Sequence, residues 1–200
     1  MKRYHAAFFA FTLACAVPLA AAGEGKKYDI EKAVITYENS NTLEKFTKTN
    51  RVILSFDAYG MKECRETFDG DRLKESFIGD GTTLWLLIHA KRTAHLLKNA
   101  NVGIGERFDW NDVPERDKEA GRAKQLPDMM VAGKRCAAFE LADESGTTTI
   151  AAWNRIVLFK REMPECGCTD NVLKAVKVEE NAAIAPEKFQ PPAGYAQERD

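Results

Sequence analysis

The side chains with the clearest chemical potential are four cysteines downstream of residue 22, namely Cys64, Cys136, Cys166 and Cys168. In an oxidising compartment, an even number of cysteines indicates disulfide bonds. A bridge between Cys166 and Cys168 would close a ring around a single residue, which strains disulfide geometry. The sequence therefore predicts two structural disulfides, in which Cys64 and Cys136 each bond one member of the Cys166-Gly167-Cys168 segment.

Two other chemistries remain open for the same four residues. Cys166 and Cys168 could form a redox-active dithiol, because a strained disulfide is readily reduced and labile bridges are often the catalytic ones. The four thiols could also stay free or bind zinc as thiolates, although their scattered spacing is only a weak indication of a zinc site. No Cys-x-x-Cys pair of the kind found in thioredoxins occurs in the sequence.

Patterns for other catalytic chemistry are missing from the sequence. It has no Gly-x-Ser-x-Gly motif, and Gly103-Ile104-Gly105 lacks the Lys-Ser/Thr pair that follows a phosphate-binding loop. His89 and His95 do not have the spacing of a zinc-binding His-Glu-x-x-His helix. We interpret them as hydrogen-bonded residues of a sheet, and we predict no catalytic residues, no metal site and no cofactor.

Charge and composition exclude further classes of protein. The 29 Lys and Arg residues nearly balance the 30 Asp and Glu residues, for a net charge of −1. Nucleic-acid-binding proteins usually carry a basic excess, so we expect no nucleic-acid partner. Apolar residues make up 44% and charged residues 30% of the chain, as in an average soluble globular protein. A chain of 200 residues is long enough for one domain with a sizeable core.

The first 22 residues have the pattern of a secretory signal peptide. Lys2 and Arg3 form a positive start, an apolar run extends from Ala6 to Val17, and Ala20-Ala21-Ala22 supplies small residues for cleavage. The apolar run is shorter than the roughly 20 residues that span a bilayer, so we expect no transmembrane anchor in the mature chain. The sequence predicts a signal peptide at 1–22, a single domain at 23–200, and a location in the periplasm or outside the cell.

Most of the remaining chain has the pattern of β-strands. Residues 51–59 alternate between apolar and polar side chains, and Asp69-Gly70 is a strong hairpin signal. The short breaks between successive strands from 51 to 98 predict an antiparallel meander. A helix is expected from Asp112 to Gln125, further strands follow it, and several prolines predict an extended C-terminal tail. The fold class is α+β, with about ten strands and one or two helices.

The last third of the chain resembles bacterial envelope proteins of the LolA-like type, which include periplasmic lipoprotein carriers. The segments that carry the resemblance are Val131-Ala132-Gly133-Lys134-Arg135-Cys136, the strand with Trp153, Leu158–Glu162, Ala175–Asn181, Ile184–Phe189 and Pro192-Ala193-Gly194-Tyr195. The motif match covers about residues 131–195, and the architecture covers about 26–195. The resemblance implies a strongly curved antiparallel sheet, an open half-barrel, with one or two helices on its concave side.

The resemblance also implies that the concave face holds an apolar ligand, such as a lipid acyl chain. Bulky apolar residues are spread over the predicted strands, and a sheet that curls without closing leaves an apolar pocket. We predict a non-enzymatic envelope protein that binds a hydrophobic small molecule or lipid. A thiol-disulfide redox protein and a structural or sensory module that binds another envelope protein are the alternatives. The predicted ligand-binding residues are Leu54, Phe56, Trp85, Leu87 and Trp153.

Overall fold

Twelve β-strands form one continuous sheet in the computed structural model, which describes residues 26–43, 46–97 and 104–199. Within these ranges the only α-helix is α1 (Glu115–Glu119), accompanied by short 3-10 turns. The strands are β1 (Ala33–Leu43), β2 (Phe46–Asp57), β3 (Lys62–Asp69), β4 (Arg72–Gly79), β5 (Leu84–Ile88), β6 (Thr93–Leu97), β7 (Ala123–Val131), β8 (Lys134–Asp143), β9 (Gly146–Trp153), β10 (Ile156–Pro164), β11 (Thr169–Glu180) and β12 (Ala196–Arg199).

The sheet is curved and does not close. Its strand order is β12-β6-β5-β4-β3-β2-β1-β11-β10-β9-β8-β7, and β12 and β7 are its free edges. Every neighbouring pair is antiparallel except β12 and β6, which run parallel. The α+β class and the open, curved antiparallel sheet predicted from the sequence are confirmed. The predicted signal peptide lies outside the described residues.

Turn residues explain the hairpins. Gly70 and Asp71 lie between β3 and β4, directly after Asp69, and Gly70 has a φ of 62°, in the left-handed region that glycine adopts without a steric penalty. Asn154 and Arg155 join β9 to β10 with φ values of 50° and 63°. Two positive φ angles in a two-residue loop give the hairpin twist that matches the flanking strands.

The predicted helix from Asp112 to Gln125 is much shorter in the structure. Only Glu115–Glu119 is helical, and Gly121 follows with a φ of 68°, which turns the chain away from the helix axis. The chain then pairs with β8 from Ala123 onward. Pro127 fits this strand because β7 is a sheet edge and its register shifts between Leu126 and Met129, so no ladder hydrogen bond is lost there.

The C-terminal tail is more regular than predicted. A 3-10 turn spans Pro186–Phe189, and Ala196–Arg199 forms the edge strand β12. Phe189 is buried in a small apolar cluster, and the Tyr195 hydroxyl lies 2.7 Å from His89 Nδ1. These contacts hold the tail on the sheet and bring its last strand beside β6.

Cross-strand register assigns side chains to the two faces of the sheet, since directly opposite residues share a face. Leu54 on β2 lies opposite Ile35 on β1 and Arg65 on β3. We call this side the Leu54 face. The other side, the Leu87 face, carries the row Cys64, Ile78 and Trp85, and the neighbouring row that pairs Ser76 with Leu87.

Candidate ligand-binding cleft

A covering segment, which we define as residues 104–112, crosses the Leu54 face. Ile104 is buried in the main apolar cluster with Leu54 and Phe56. Further along, the Val157 amide donates to the Glu106 carbonyl over 3.1 Å, and the Phe108 amide donates to the Arg155 carbonyl over 2.9 Å. The segment is therefore attached to both halves of the sheet, at β2 and at the start of β10.

Glu63 anchors the beginning of the covering segment. Its carboxylate is buried and accepts hydrogen bonds from Lys27 Nζ over 2.7 and 2.8 Å, from the Tyr28 hydroxyl over 2.7 Å, and from the Gly105 amide over 3.3 Å. Burial lowers the pKa of Lys27, although the Glu63 charge opposes that shift. Burial beside the same carboxylate raises the pKa of Tyr28, which stays protonated as a donor. Three donors thus compensate one buried charge.

Aromatic stacking fixes the far end of the covering segment. The ring centroids of Phe108 and Phe139 lie 4.8 Å apart, and those of Trp110 and Phe139 lie 5.1 Å apart in a stacked arrangement. Lys118 Nζ of α1 lies 5.1 Å from the centre of the Trp110 ring. These contacts connect the covering segment, the helix and β8 on one side of a cleft, which Phe108 lines.

The cleft has a volume of about 580 Å³ and lies between the covering segment, α1 and strands β8 to β10. Its apolar lining includes Phe108, Leu141, Ile150 and Val157. Charged groups surround that lining, with six carboxylates against three basic side chains; they are Glu106, Asp109, Asp112, Asp117, Asp143 and Glu162, and Arg107, Arg122 and Lys160.

Ion pairs engage all three basic side chains of the cleft. Lys160 Nζ lies 3.1 Å from Glu106 and 2.7 Å from Glu162. Burial disfavours the charged form of Lys160, but the two carboxylates outweigh it and raise the pKa of Lys160. Arg107 pairs with Asp109 and Asp112, and Arg122 pairs with Asp117. A ligand in the cleft would therefore meet an apolar floor and a network of compensated charges with an acidic excess.

The cleft continues into a more polar pocket of about 250 Å³, which shares Glu106, Lys160 and Glu162 with it. Asn39, Asn41 and Asn171 line this extension. Beneath Ile104 and Gly105, only about 10 Å³ remains between Tyr37, Val52, Leu54 and their neighbours. The apolar interior is therefore filled, and the accessible part of the Leu54 face is amphipathic.

The structure does not bring the five predicted ligand-binding residues into one site. Leu54 and Phe56 lie together beneath the covering segment, at 2% and 0% exposure. Trp153 is half-buried against the same apolar cluster, with Lys134 Nζ 4.8 Å from its ring centre. Trp85 and Leu87 belong to the separate cluster on the Leu87 face, because alternate residues of β5 point to that side.

The cysteines pair differently from the prediction. Cys166 and Cys168 form a disulfide, with their Cα atoms 5.2 Å apart, whereas Cys64 and Cys136 are free and buried. The predicted bridges are excluded by topology: β3, which carries Cys64, is separated from β11 by β2 and β1, and Cys136 lies within β8, with β9 between it and β10. The Cys166–Cys168 turn connects β10 to β11, out of reach of both.

We expect Cys64 and Cys136 to resist alkylation in the folded protein at pH 8. Burial raises the pKa of Cys64 to about 12 and that of Cys136 to about 11, so both remain thiols well above neutral pH, and only the thiolate reacts. Peptide mapping after iodoacetamide treatment should find both unmodified in buffer and both modified in denaturant. Modification of either residue in the native protein would contradict its buried position.

Both histidines are hydrogen-bonded, as predicted, with His95 in β6 and His89 directly after β5. His89 Nε2 lies 2.8 Å from Ser76 Oγ, and His95 Nδ1 lies 3.0 Å from a Glu198 carboxylate oxygen. Burial lowers the pKa of His89. Within residues 26–43, 46–97 and 104–199, no three His, Cys, Asp or Glu side chains are grouped so as to hold a metal ion. No helix in those ranges is long and apolar enough to cross a membrane.

Comparison with known proteins places the fold. No protein-family model and no curated protein matches the chain. Among solved structures, an uncharacterised conserved protein from Thermus thermophilus superposes with a TM-score of 0.60 at 7% identity, over 88% of this chain and 94% of that one. MucB superposes with a TM-score of 0.51 at 11% identity, over 84% of this chain and 59% of MucB. A LolA superfamily protein from Nitrosomonas europaea matches at a TM-score of 0.39 and 10% identity, over 82% and 92% of the two chains.

The chain shares its overall fold with the Thermus thermophilus protein and with MucB. At these identities the superpositions describe architecture alone, and the chemistry has to be read from the side chains of this chain. The residues that shape the cleft were only partly visible in the sequence. Trp110 and Phe139 could be recognised as bulky apolar residues, but nothing in the sequence distinguished Glu63 from other strand carboxylates or marked residues 104–112 as a cover.

Proposed function

We propose that this chain is an exported protein of the cell envelope that binds a hydrophobic ligand, without catalysis, in the cleft on the Leu54 face. The observation that carries the proposal is the amphipathic cleft of about 580 Å³. Small-molecule pockets usually measure about 300–1,000 Å³ and combine an apolar lining with a few polar groups. The signal-peptide pattern of residues 1–22 supports export to the periplasm or beyond.

The apolar part of the ligand would lie along Leu141, Ile150 and Val157, with its polar end among the charged groups near Lys160. Leu54 and Phe56 would form the closed end of the same site, because Ile104 and Gly105 separate them from the cleft. Movement of the covering segment would extend the apolar floor toward them. A long acyl chain would need that extension, whereas a compact apolar molecule would fit the cleft as it stands.

Binding is favoured over catalysis because of the groups that line the cleft. Its described lining holds no histidine, cysteine or serine, and its basic side chains are engaged in ion pairs. Such groups can orient a ligand, and the described lining lacks the Ser-His or Cys-His pair of nucleophilic catalysis. An envelope module that binds another protein is the second candidate, and fatty-acid binding by cleft variants separates the two.

Two neighbouring threonines of β9 give a matched pair of variants for testing the cleft. Thr148 pairs with Leu141 and lines the cleft, whereas Thr149 pairs with Glu140 and faces the other side of the sheet. We expect Thr148→Trp to fill part of the cleft and to weaken binding of a fluorescent long-chain fatty acid by about tenfold, or ~1.4 kcal/mol. Thr149→Trp should leave the affinity within about twofold, because the Thr149 side chain lies on the opposite face and does not line the cleft.

Native mass spectrometry of the purified protein supplies the second readout. A bound apolar molecule that is released by solvent extraction and reduced in amount by Thr148→Trp would support the proposal. If the protein is ligand-free, binds no fatty acid and is unaffected by Thr148→Trp, the hydrophobic-ligand function is wrong and the protein-binding module is the better explanation.

A further inference from the structure

The Cys166–Cys168 disulfide lies in an exposed turn and connects no separate parts of the fold. Both residues are exposed, and the bond spans only Gly167. The turn is already held by hydrogen bonds from the Gly167 amide to the Pro164 carbonyl and from the Glu165 amide to the Ser145 carbonyl, each 2.9 Å long. A disulfide stabilises a fold mainly by closing a long loop in the unfolded chain. Stabilisation therefore gives little reason for this bond.

The two sulfurs are not equivalent. The Cys168 backbone amide donates a hydrogen bond to Cys166 Sγ over 3.3 Å. A donor aimed at a sulfur stabilises the thiolate that appears there when the disulfide is cleaved, and a thiol that is a better leaving group speeds exchange. Attack on Cys168 Sγ, with Cys166 as the leaving thiolate, is therefore the favoured direction.

A groove lies beside this disulfide. It has a volume of about 570 Å³ and runs between the β8–β9 turn and the segment from Met163 to Gly167. Met163 is partly exposed there and offers an apolar contact, and the side chains of Glu144 and Glu165 give the groove an acidic rim. An extended peptide with apolar and basic residues matches this lining, and at Gly167 it would reach the residue that the disulfide encloses.

We propose that Cys166–Cys168 is a thiol-disulfide exchange site that oxidises a dithiol in an apolar and basic peptide segment of a protein substrate. A substrate thiolate attacks Cys168 Sγ, the Cys166–Cys168 bond breaks, and Cys166 leaves with the electron pair and takes up a proton from water. The second substrate thiol loses its proton and attacks the substrate sulfur of the mixed disulfide, which releases Cys168. The substrate gains a disulfide and loses two electrons, and this chain gains two thiols.

This activity is independent of the proposed ligand cleft. The groove is bounded by the β8–β9 and β10–β11 turns, and its lining shares only Ala142 and Asp143 with the cleft. Cys64 and Cys136 take no part in the reaction because both are buried in separate apolar clusters.

Single turnover of the oxidised full-length chain tests the proposal, with Cys15→Ser as the background so that only the four downstream cysteines remain. The probe is a short reduced peptide with two cysteines flanked by leucine and lysine. We expect one equivalent of peptide disulfide per chain and two new alkylatable thiols at Cys166 and Cys168. Cys168→Ser should abolish the reaction, and Cys64→Ala should leave its rate unchanged.

Two further measurements distinguish an exchange site from a disulfide that is merely exposed. A peptide with one cysteine should form its mixed disulfide on Cys168 at least about threefold more often than on Cys166, as one added hydrogen bond to the leaving sulfur allows. Met163→Asp should lower the rate at which the leucine-containing peptide reduces the disulfide by about threefold or more. The rate of reduction by dithiothreitol should stay unchanged, because only the peptide binds in the groove.

The proposal would be overturned if excess reduced peptide left the disulfide intact. It would also be overturned if the mixed disulfide were distributed equally over both sulfurs and Met163→Asp changed the peptide and dithiothreitol rates by the same factor. Loss of fatty-acid binding in Thr148→Trp bears on the cleft alone and does not enter this test.

Discussion

Replacing Glu63 with alanine should lower the free energy of unfolding by about 3–5 kcal/mol, the usual cost of removing one partner from a buried ion pair. The change would leave the Lys27 ammonium without its carboxylate and would remove the acceptor of the Tyr28 hydroxyl and the Gly105 amide. Each of these donors is poorly placed to recover a hydrogen bond from water. Urea denaturation of the two proteins measures the difference.

Two control variants sharpen the Glu63 experiment. Glu179→Ala removes the carboxylate of an exposed ion pair with Lys177, and such pairs contribute only about 0.2–1 kcal/mol. Glu63→Gln keeps an oxygen acceptor but loses the negative charge, so its loss should lie between the two alanine variants. Equal stability losses in Glu63→Ala and Glu179→Ala would show that the buried cluster is not what stabilises this region.

Gly105→Ala should displace the covering segment from the Leu54 face. A β-carbon at position 105 would lie 2.2 Å from the Tyr28 hydroxyl oxygen and 2.7 Å from Leu54 Cδ2, closer than atoms can pack. Overpacking of this kind usually costs about 1–3 kcal/mol, and each 1.4 kcal/mol changes a population ratio about tenfold. We expect the fraction of molecules in which the covering segment has left the Leu54 face to rise by about tenfold or more. An anilinonaphthalene sulfonate dye, which fluoresces on exposed apolar surface, should then give a stronger signal.

Gly121→Ala is the matched control for this displacement. Gly121 has a φ of 68°, so alanine is strained there, but its β-carbon would meet nothing within 4 Å. This variant loses stability without touching the covering segment, and its dye fluorescence should stay at the level of the unmodified protein. If Gly121→Ala and Gly105→Ala bind the dye equally, the fluorescence reports a general loss of stability. The covering segment would then not control access to the apolar interior.

The sheet could be predicted from the sequence because its signals are local. Alternation in residues 51–59 and turn residues such as Asp69-Gly70 report the strand and the hairpin directly. The strand at 123–131 was not predicted, because its charged and proline-containing residues suit an edge strand as well as a helix end. Its identity depends on pairing with β8, which is a long-range contact that local pattern does not contain.

The candidate site was harder to predict for the same reason. Leu54 and Trp85 are both apolar strand residues, but three strand pairings separate them. The register of each pairing decides which residues of neighbouring strands lie on the same face of the sheet. A shift of one residue in any register moves every side chain of the shifted strand to the other face of the sheet. Glu63 acquires its role only when Lys27, Tyr28 and Gly105 converge on it. The Cys166–Cys168 disulfide was only an alternative in the sequence analysis, because the strain of a short ring is a local property, whereas the distance between the strands that carry Cys64 and Cys136 is not.

The central pairing of β1 with β11 has a consequence for how the chain folds. Ala33 pairs with Glu180, so two segments that are far apart in the sequence must meet before the middle of the sheet is complete. A chain that crosses a membrane from its N-terminus can form the β1 to β6 meander early, but the outer edge of β1 stays unpaired until β11 has emerged. Long-range strand pairing is slow, and an unpaired edge invites association with other chains. During the export that we propose, a chaperone would therefore have a defined, unpaired strand edge to protect.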